Sequence, residues 1–534
     1  MLVLMPVVAL AVIALSGDTG VWAHLGANVL PQVLPTTAIL LAGVGVVVTV
    51  VGTGTAWLVT AHDFPGRRIL DWALLLPLAV PTYVVAFAYL DILHPIGPVQ
   101  TALRDLFGVA DPRALRLPDI RSLPGAILLF GLVLYPYVYL ATRALFLMQA
   151  AGLIEAARTL GANRSRVFFG IALPLARPAI AVGVGLALME TLNDIGASEF
   201  LGIRTMTVSV YSTWVNQSNL AGAAAIALVM LAIVVGLVFV ERLARRSQRF
   251  AAPTQRPHVL ARNRLTGGRA WAALMLGALP VVLGFVVPAV HLANQAMQRI
   301  GFAGLSDRIV GETVNTLAVA AAATVVAVAL GLLVAYTARL DRGRVGAGLA
   351  RLVGVGYALP GTVLAIGLLF PLAAFDNAVD GWSRSAFGVS TGLLLSGSLV
   401  ILVYAYVTRF LAVSTGGIEA GFAKIPPSLD QSARSLGRTA AGVLGAVHLP
   451  LLRPALGAAA ILVFVDCMKE LPATLLLRPL NFETLATHLY GEAVRGTYED
   501  GAIAALAIVA AGLAPVILLA RLSRPAVQGL RAAP

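Results

Sequence analysis

The sequence predicts an all-α integral membrane protein of about twelve transmembrane helices, built as two parallel six-helix repeats related by a pseudo-two-fold axis along the membrane normal. Three observations predict it. First, 59% of the 534 residues are hydrophobic and 12% are charged, with a mean hydropathy of +0.89, far more apolar than a water-soluble domain. Second, apolar runs near or above eighteen residues recur, each long enough to cross roughly 30 Å of hydrocarbon as a helix. Third, the second half of the chain repeats the first at a nearly constant displacement. "TTAILLAGVGVVVTVVGTGTAWLVTA" from Thr36 returns as "NTLAVAAAATVVAVALGLLVAYTARL" from Asn315, and "LAVPTYVVAFAY" returns as "YALPGTVLAIGL", with Pro81 over Pro360, 279 residues on.

In order, the runs are about 2–16, 35–60, 71–93, 124–147, 176–198, 219–240, 271–293, 312–338, 352–375, 388–411, 454–476 and 500–521. The first is the weakest, being short and without a basic residue ahead of it, since the earliest arginine is Arg67. No cleaved signal peptide is expected, because such a leader wants a positive start and a small-residue cleavage site. Runs one to six form a first half, 1–240, and runs seven to twelve a second, 271–534. A basic connector, 241–270, joins them. An even number of spans gives both halves the same orientation. With the N-terminus in the cytoplasm, the C-terminus lies there too, and most of the 38 lysines and arginines fall in cytoplasmic segments. Eight of them lie in the connector phrase "ERLARRSQRFAAPTQRPHVLARNRLTGGR". The formal charge of +13 is therefore the positive-inside bias, which fixes topology and implies no nucleic-acid partner.

Between the fourth and fifth runs of each half stands a half-polar loop, at about 150–178 and 426–454. The first reads "IEAARTLGANRSRVFFGIALPLARPAI" from Ile154 and the second "QSARSLGRTAAGVLGAVHLPLLRPAL" from Gln431. Gly161, Leu173, Pro174, Arg177 and Pro178 fall on Gly437, Leu449, Pro450, Arg453 and Pro454, each 276 residues on. Glu155 to Leu160 is a good helix former with an acid in its first turn, where the helix dipole favours negative charge. Gly161 can bend it. Asn163 to Ala172 restarts as a helix with Val167, Phe168 and Ile171 on one side, and Pro174 and Pro178 begin the next span. The expected product is a bent helical hairpin near the membrane surface. One copy could rest on lipid. Two copies in register on a two-fold axis point instead to docking on a cytoplasmic partner that is itself two-fold.

Within the fifth run of each half sit two acids four residues apart, Glu190 with Asp194 and Asp466 with Glu470, a spacing expected to put each pair on one helix face. An acid at mid-membrane costs roughly 2.5–3.5 kcal/mol on insertion scales, so it marks a function or a partner. The bland reading is that these acids cap outer helix ends or pair with Lys469 and arginines. The functional reading is an acidic lining for the exit mouth of a cation path, a candidate translocation path of Glu190, Asp194, Asp466 and Glu470.

The phrase "EAARTLGANRSRVFFGIALP" has Glu-Ala-Ala, three residues, Gly, nine residues, Ile, one residue, Leu-Pro. It resembles the loop of the membrane subunits of binding-protein-dependent ABC importers. The resemblance implies a coupling helix seated in a groove of a cytoplasmic ATPase subunit. It carries onto Glu155, Ala156, Ala157, Gly161, Ile171, Leu173 and Pro174. In the second copy it reaches Ala433, Gly437, Leu449 and Pro450, with Gln431, Ser432 and Val447 standing for Glu, Ala and Ile. Gln431 brings no carboxylate, and Asp430 is displaced about 100° around a helix, so equivalent ionic docking at the two ends is not expected.

Over nearly the whole chain, "ETLNDIG" with "VDCMKELPATLLLRPLNFETLA" resembles the fused two-half permeases of ferric-iron importers. Thiamine permeases share the fused plan, and polyamine permeases share the loop in unfused form. The resemblance implies an ATP-driven ABC importer permease for ferric iron, with thiamine or a polyamine as alternatives, in a bacterial inner membrane. Its implied partners are two copies of an ATPase subunit and a periplasmic binding protein. The chain itself is expected to bind no cofactor and to be no enzyme, ATP being used by the partner subunit. A phosphate-binding P-loop needs Gly-Lys-[Ser/Thr], and the only lysines, Lys424 and Lys469, do not follow glycine. No metal ligand is assigned, because the family's selectivity lies in the binding protein.

Other signals carry less. Cys467 alone permits no internal disulfide and no thiolate cluster. "GVSTG" at 388–392 fits a serine-hydrolase elbow but begins an apolar run rather than a strand–turn–helix. His448 reads as a polar loop residue, and His62, His258 and His488 share no metal spacing. A major-facilitator-type secondary transporter has the same span count, and "HDFPGRR" and "ARLDRGRVG" fit its Asp-Arg-x-Gly-Arg loop. Nothing in that plan calls for the paired loops.

Overall fold

The computed structural model describes residues 4–16, 19–109, 111, 114–148, 157, 159–246, 262–341, 348, 349, 352–354, 356 and 358–522. Among them, ten helices are long and apolar enough to cross a membrane: Gly20–Ala61, Leu123–Leu147, Ser165–Asn193, Leu220–Glu241, Gly268–Phe302, Asp307–Leu340, Gly361–Phe387, Leu399–Phe422, Ala440–Met468 and Tyr498–Leu518. A pair of helices, Arg67–Ala79 and Thr82–Ile92, is long and apolar enough when taken together but is bent by 91° at its break. Met5–Ser16 is a shorter apolar helix of 12 residues. The one sheet among the described residues is a parallel pairing of His62–Asp63 with Asn263–Arg264, which ties the end of the Gly20–Ala61 helix to the start of the Gly268–Phe302 helix. The molecule is all-α, and every expected run has a helix.

Two runs are built differently from the simple reading. The 71–93 run is broken at Val80–Pro81, where Pro81 takes φ −59° and ψ 146°. Pro360, ahead of the Gly361–Phe387 helix, takes φ −58° and ψ 144°. Proline removes a donor and fixes φ, so each marks an extended residue from which a new helix starts. The 388–411 run is the second case, because its helix begins only at Leu399. Gly388 and Gly392 have φ of +69° and +62°, a region open to glycine at little cost. Two carboxylates then capture the amides of this stretch. Asp380 accepts from Thr391 N at 2.8 Å and Gly392 N at 3.2 Å, while Asp376 accepts from Ser396 N at 2.8 Å. "GVSTG" is therefore a folded-back loop after a helix.

The packing crosses the sequence halves. Met5–Ser16 lies on Gly361–Phe387 and Leu220–Arg246, so closely that a Cβ on Gly367 would sit 2.3 Å from the Pro6 carbonyl oxygen. Gly268–Phe302 lies on the other side, where a Cβ on Gly284 would meet the Leu132 carbonyl oxygen at 2.5 Å. There Tyr89 donates to the Leu283 carbonyl at 2.7 Å, and Asp91 takes both His291 and Gln295 at 2.8 Å. Each of the two large buried clusters mixes residues below 240 with residues above 270.

Candidate functional site

A cavity of about 120 Å³ lies where four helix ends meet, and Glu190, Asp194, Asp466 and Glu470 all line it. The four carboxylates come together, though by a different route from a shared helix face. The helix that carries Glu190 ends at Asn193, and Asp194 is extended at φ −76° and ψ 116°. The helix that carries Asp466 ends at Met468, two residues before Glu470. The physical reason is competition for amides: a short carboxylate can accept from the backbone just ahead of it and end a helix. Asp194 accepts from Ala197 N at 2.7 Å and starts the short helix Gly196–Phe200. Glu470 accepts from Ala473 N at 3.2 Å and Thr474 N at 3.1 Å and starts Pro472–Leu477.

The remaining partners are unequal. Asp194 takes a hydrogen bond from the Thr82 hydroxyl, just beyond the Pro81 break. Glu470 is paired with Arg409 at 2.5 Å, with both side chains nearly buried. Asp466 is paired with Lys469 at 2.9 Å. The cavity wall therefore carries four acids against two bases, Arg409 and Lys469. Gly361 makes the Arg409 pair possible, since a Cβ there would stand 2.7 Å from both Arg409 Nη1 and Glu470 Oε1. The Gly361 amide donates to Asn193 Oδ1 at 2.7 Å, and the Tyr83 hydroxyl donates to the Lys469 carbonyl at 3.3 Å. Gly196 is equally constrained, since a Cβ there would stand 2.7 Å from Tyr83 Cβ. Among the described residues, no group of three or more His, Cys, Asp or Glu side chains is arranged to hold a metal ion.

Arg409, Asn193 and Thr82 are functional candidates that the sequence reading missed. Arg409 had a usable signal, a lone arginine inside the apolar "YAYVTRFLAV", because an intramembrane cation is as costly as an intramembrane acid. Asn193 and Thr82 had none.

The two half-polar loops lie at the other candidate place. Glu155 and Ala156 fall outside the described residues. Where the first loop is described, its geometry around the glycine matches that of the second. Gly161 and Gly437 both have φ +81°. Around them Ala162 N donates to the Ala157 carbonyl at 3.0 Å, and Arg438 N to the Ala433 carbonyl at 3.1 Å. This is a helix terminated by a left-handed glycine, with a bond from the second residue past the helix end back to the last turn. The helix restarts at a side-chain cap in each loop, Asn163 Oδ1 accepting from Arg166 N at 2.8 Å and Thr439 Oγ1 from Gly442 N at 3.2 Å. At the tip, Leu160 is 87% exposed and Leu436 is 84% exposed, a placement that a core leucine avoids. Ala433 is buried, Ala157, Ile171, Leu173, Pro174 and Leu449 are half-buried, and Gln431, Ser432 and Pro450 are exposed.

Asp430 does not substitute for a docking carboxylate. It turns inward, where Arg339 donates to both its oxygens at 2.8 and 3.1 Å and His448 Nε2 lies 2.7 Å from Oδ1. Burial pushes this carboxyl up, but the Arg339 and His448 hydrogen bonds outweigh burial and hold it below the usual carboxylate range.

The profile of the family described as "Binding-protein-dependent transport system inner membrane component" matches residues 48–249. The "Fe(3+)-transport system permease protein FbpB 2" of Haemophilus influenzae is 23% identical over 493 residues, covering 91% of this chain and 89% of that protein. The "Molybdenum transport system permease protein ModB" of Escherichia coli K12 is 34% identical over 200 residues, 36% of this chain and 84% of that protein. The "Putative 2-aminoethylphosphonate transport system permease protein PhnU" of Salmonella paratyphi A is 31% identical over 187 residues, 34% of this chain and 63% of that protein.

Proposed function

The chain belongs to the binding-protein-dependent transport system inner membrane components, the permeases of ABC importers, and on that premise we propose that it forms the whole membrane core of an importer of ferric iron. Membership sets aside the secondary-transporter reading. In this proposal each half supplies one coupling loop, two copies of an ATPase subunit bind those loops from the cytoplasm, and a periplasmic binding protein delivers the cargo. Both termini lie in the cytoplasm.

The observation that carries the cargo is the cavity wall, on which Glu190, Asp194, Asp466 and Glu470 face only Arg409 and Lys469 as basic residues. An excess of acids lowers the electrostatic cost of a cation and raises that of an anion. Oxygen ligands also suit a hard ion. A relative that spans nearly the whole chain is named for Fe(3+) transport. The matches to molybdenum and 2-aminoethylphosphonate permeases cover about a third of the chain and speak to the permease unit. The acids serve passage rather than tight binding, because Asp194 and Glu470 already hold helix caps.

The test avoids those structural carboxylates. The Glu190→Gln plus Asp466→Asn double variant leaves both caps intact while removing two charges from the wall. Uptake of radioactive iron by cells carrying this variant, with normal protein levels, is expected to fall severalfold. Unchanged uptake would remove the acidic path.

A further inference from the structure

At the cytoplasmic end of the second half, one carboxylate joins four segments. Asp430 lies in the helix Pro427–Ser435, the first arm of the second coupling loop. Its two oxygens receive the Arg339 guanidinium from the last turn of Asp307–Leu340 and the imidazole of His448, which is 1% exposed, from the turn that opens the next span. Arg339 uses its other donors on the carbonyls of Phe422 at 2.9 Å and Ile425 at 3.0 Å, the end of the preceding span and the turn after it. Its guanidinium also lies 5.3 Å from the Phe422 ring centroid. Tyr336, one turn earlier, donates to the Ala440 carbonyl at 2.6 Å, and its ring lies against both Phe422 and His448. Both arms of the loop are thus tied to one span.

The first loop lacks the three clamp residues in sequence. At the same displacements, Thr60 stands for Arg339, Ile154 for Asp430 and Ala172 for His448. The Thr60 hydroxyl is turned to its own helix, donating to the Ala56 carbonyl at 2.7 Å. Among the described residues, an aromatic cluster meets the first loop, Trp57 against Phe146 at 5.3 Å and against Phe168 at 5.2 Å.

We propose that Asp430 is a positioning residue that locks the second coupling loop to the Asp307–Leu340 span through Arg339 and His448, making that loop a stiff lever beside a first loop that lacks these three residues. The inference rests on the importer reading and adds that the two loops transmit differently. A bidentate ion pair fixes orientation as well as distance, so a push on the exposed face of Pro427–Ser435 moves the span without slack. An aromatic cluster permits rotation and sliding at similar cost.

The test uses the permease reconstituted in vesicles with its ATPase subunit and binding protein, and reads cargo moved per ATP hydrolysed. Asp430→Asn keeps the shape but loses the charge, and it is expected to lower that ratio roughly fivefold, the lower end of ordinary coupling between sites. Asp430→Glu is expected to recover most of the ratio, which a residue needed only for folding would not require. Arg339→Lys, which keeps the charge and loses the fork, is read alongside in case Asp430→Asn accumulates poorly, and a fall is expected there too. A wild-type ratio in either Asp430→Asn or Arg339→Lys overturns the positioning role. Absence of ATP-driven transport in the wild-type complex would instead count against the importer reading.

Discussion

Charged residues inside this bundle are there in pairs and caps, which makes their removal asymmetric. Glu470 is 1% exposed at its side chain and held by Arg409, itself 10% exposed. Replacing Arg409 by Leu leaves an uncompensated buried carboxylate, for which breaking costs of about 3–5 kcal/mol are typical. The expected outcome is a marked drop in the melting temperature of the detergent-purified protein, larger than for the double replacement Arg409→Leu plus Glu470→Leu. A second pair gives a pH dependence. His488, in the helix Leu485–Arg495, lies 2.8 Å from Glu312, with both side chains nearly buried. Burial pulls its imidazolium down, but the bond to Glu312, helped by the charge of Glu492, outweighs burial and holds the pKa above its ordinary value. A raised folded-state value means that the stabilisation is complete below the ordinary imidazole pKa and is lost as pH rises through the folded one. The protection of the Leu485–Arg495 amides, taken relative to the unstructured chain so that the base-catalysed rise in intrinsic exchange cancels, should therefore fall as pH rises above the ordinary imidazole pKa, and His488→Gln should abolish that fall. Protection that stays constant with pH in the wild type would contradict the pairing.

At the scale of the element, the coupling loops show which signals a sequence exposes. Gly161 and Gly437 were readable as bends because their surroundings form helix on both sides, and both take φ +81° with open space where a Cβ would go. Substitution by Ala at Gly437 is thus opposed by backbone conformation alone, about 1–2 kcal/mol, and Gly437→Asn should cost less, since Asn tolerates the left-handed region. Comparing the two in thermal melts checks that. The exposed leucines Leu160 and Leu436 were not readable as projecting, because their exposure depends on the glycine that follows. Leu160→Asp plus Leu436→Asp should reduce the ATPase subunit recovered with the purified permease at least severalfold. Elsewhere the apolar pattern misled: "GVSTGLLLSGS" has the composition of a span, yet Asp376 and Asp380, in the preceding helix, fold it back as a loop. Asp430 reads in the sequence only as a charge turned about 100° from the motif's docking position; that Arg339, 91 residues earlier, holds it emerges from the fold. Long-range pairings of this kind leave no mark on local periodicity.

For the whole molecule, the repeat written in the sequence and the packing of the helices answer different questions. The displacement of 276 to 279 residues suggests two equivalent halves, and matching turns at Gly161 and Gly437, at Asn163 and Thr439, and at Pro81 and Pro360 agree in local geometry. Yet Met5–Ser16 packs on Gly361–Phe387 of the second half as well as on Leu220–Arg246 of the first, and Gly268–Phe302 on first-half helices as well as on Tyr498–Leu522 of the second. In a relative rocking of the two halves these two helices are therefore where one half bears on the other. The cavity wall is also asymmetric, both bases coming from above residue 400, so cargo meets two unlike faces. That asymmetry could not be read from a repeat, which predicts likeness.

In the proposed importer, motion imposed on the two loops from outside the chain drives transport. Vesicles containing the purified protein decide it. With the ATPase subunit inside and the loaded binding protein outside, iron should accumulate only when ATP is supplied, and a proton or sodium gradient across vesicles holding this chain alone should accumulate none. Accumulation by the chain alone on an ion gradient would contradict the claim.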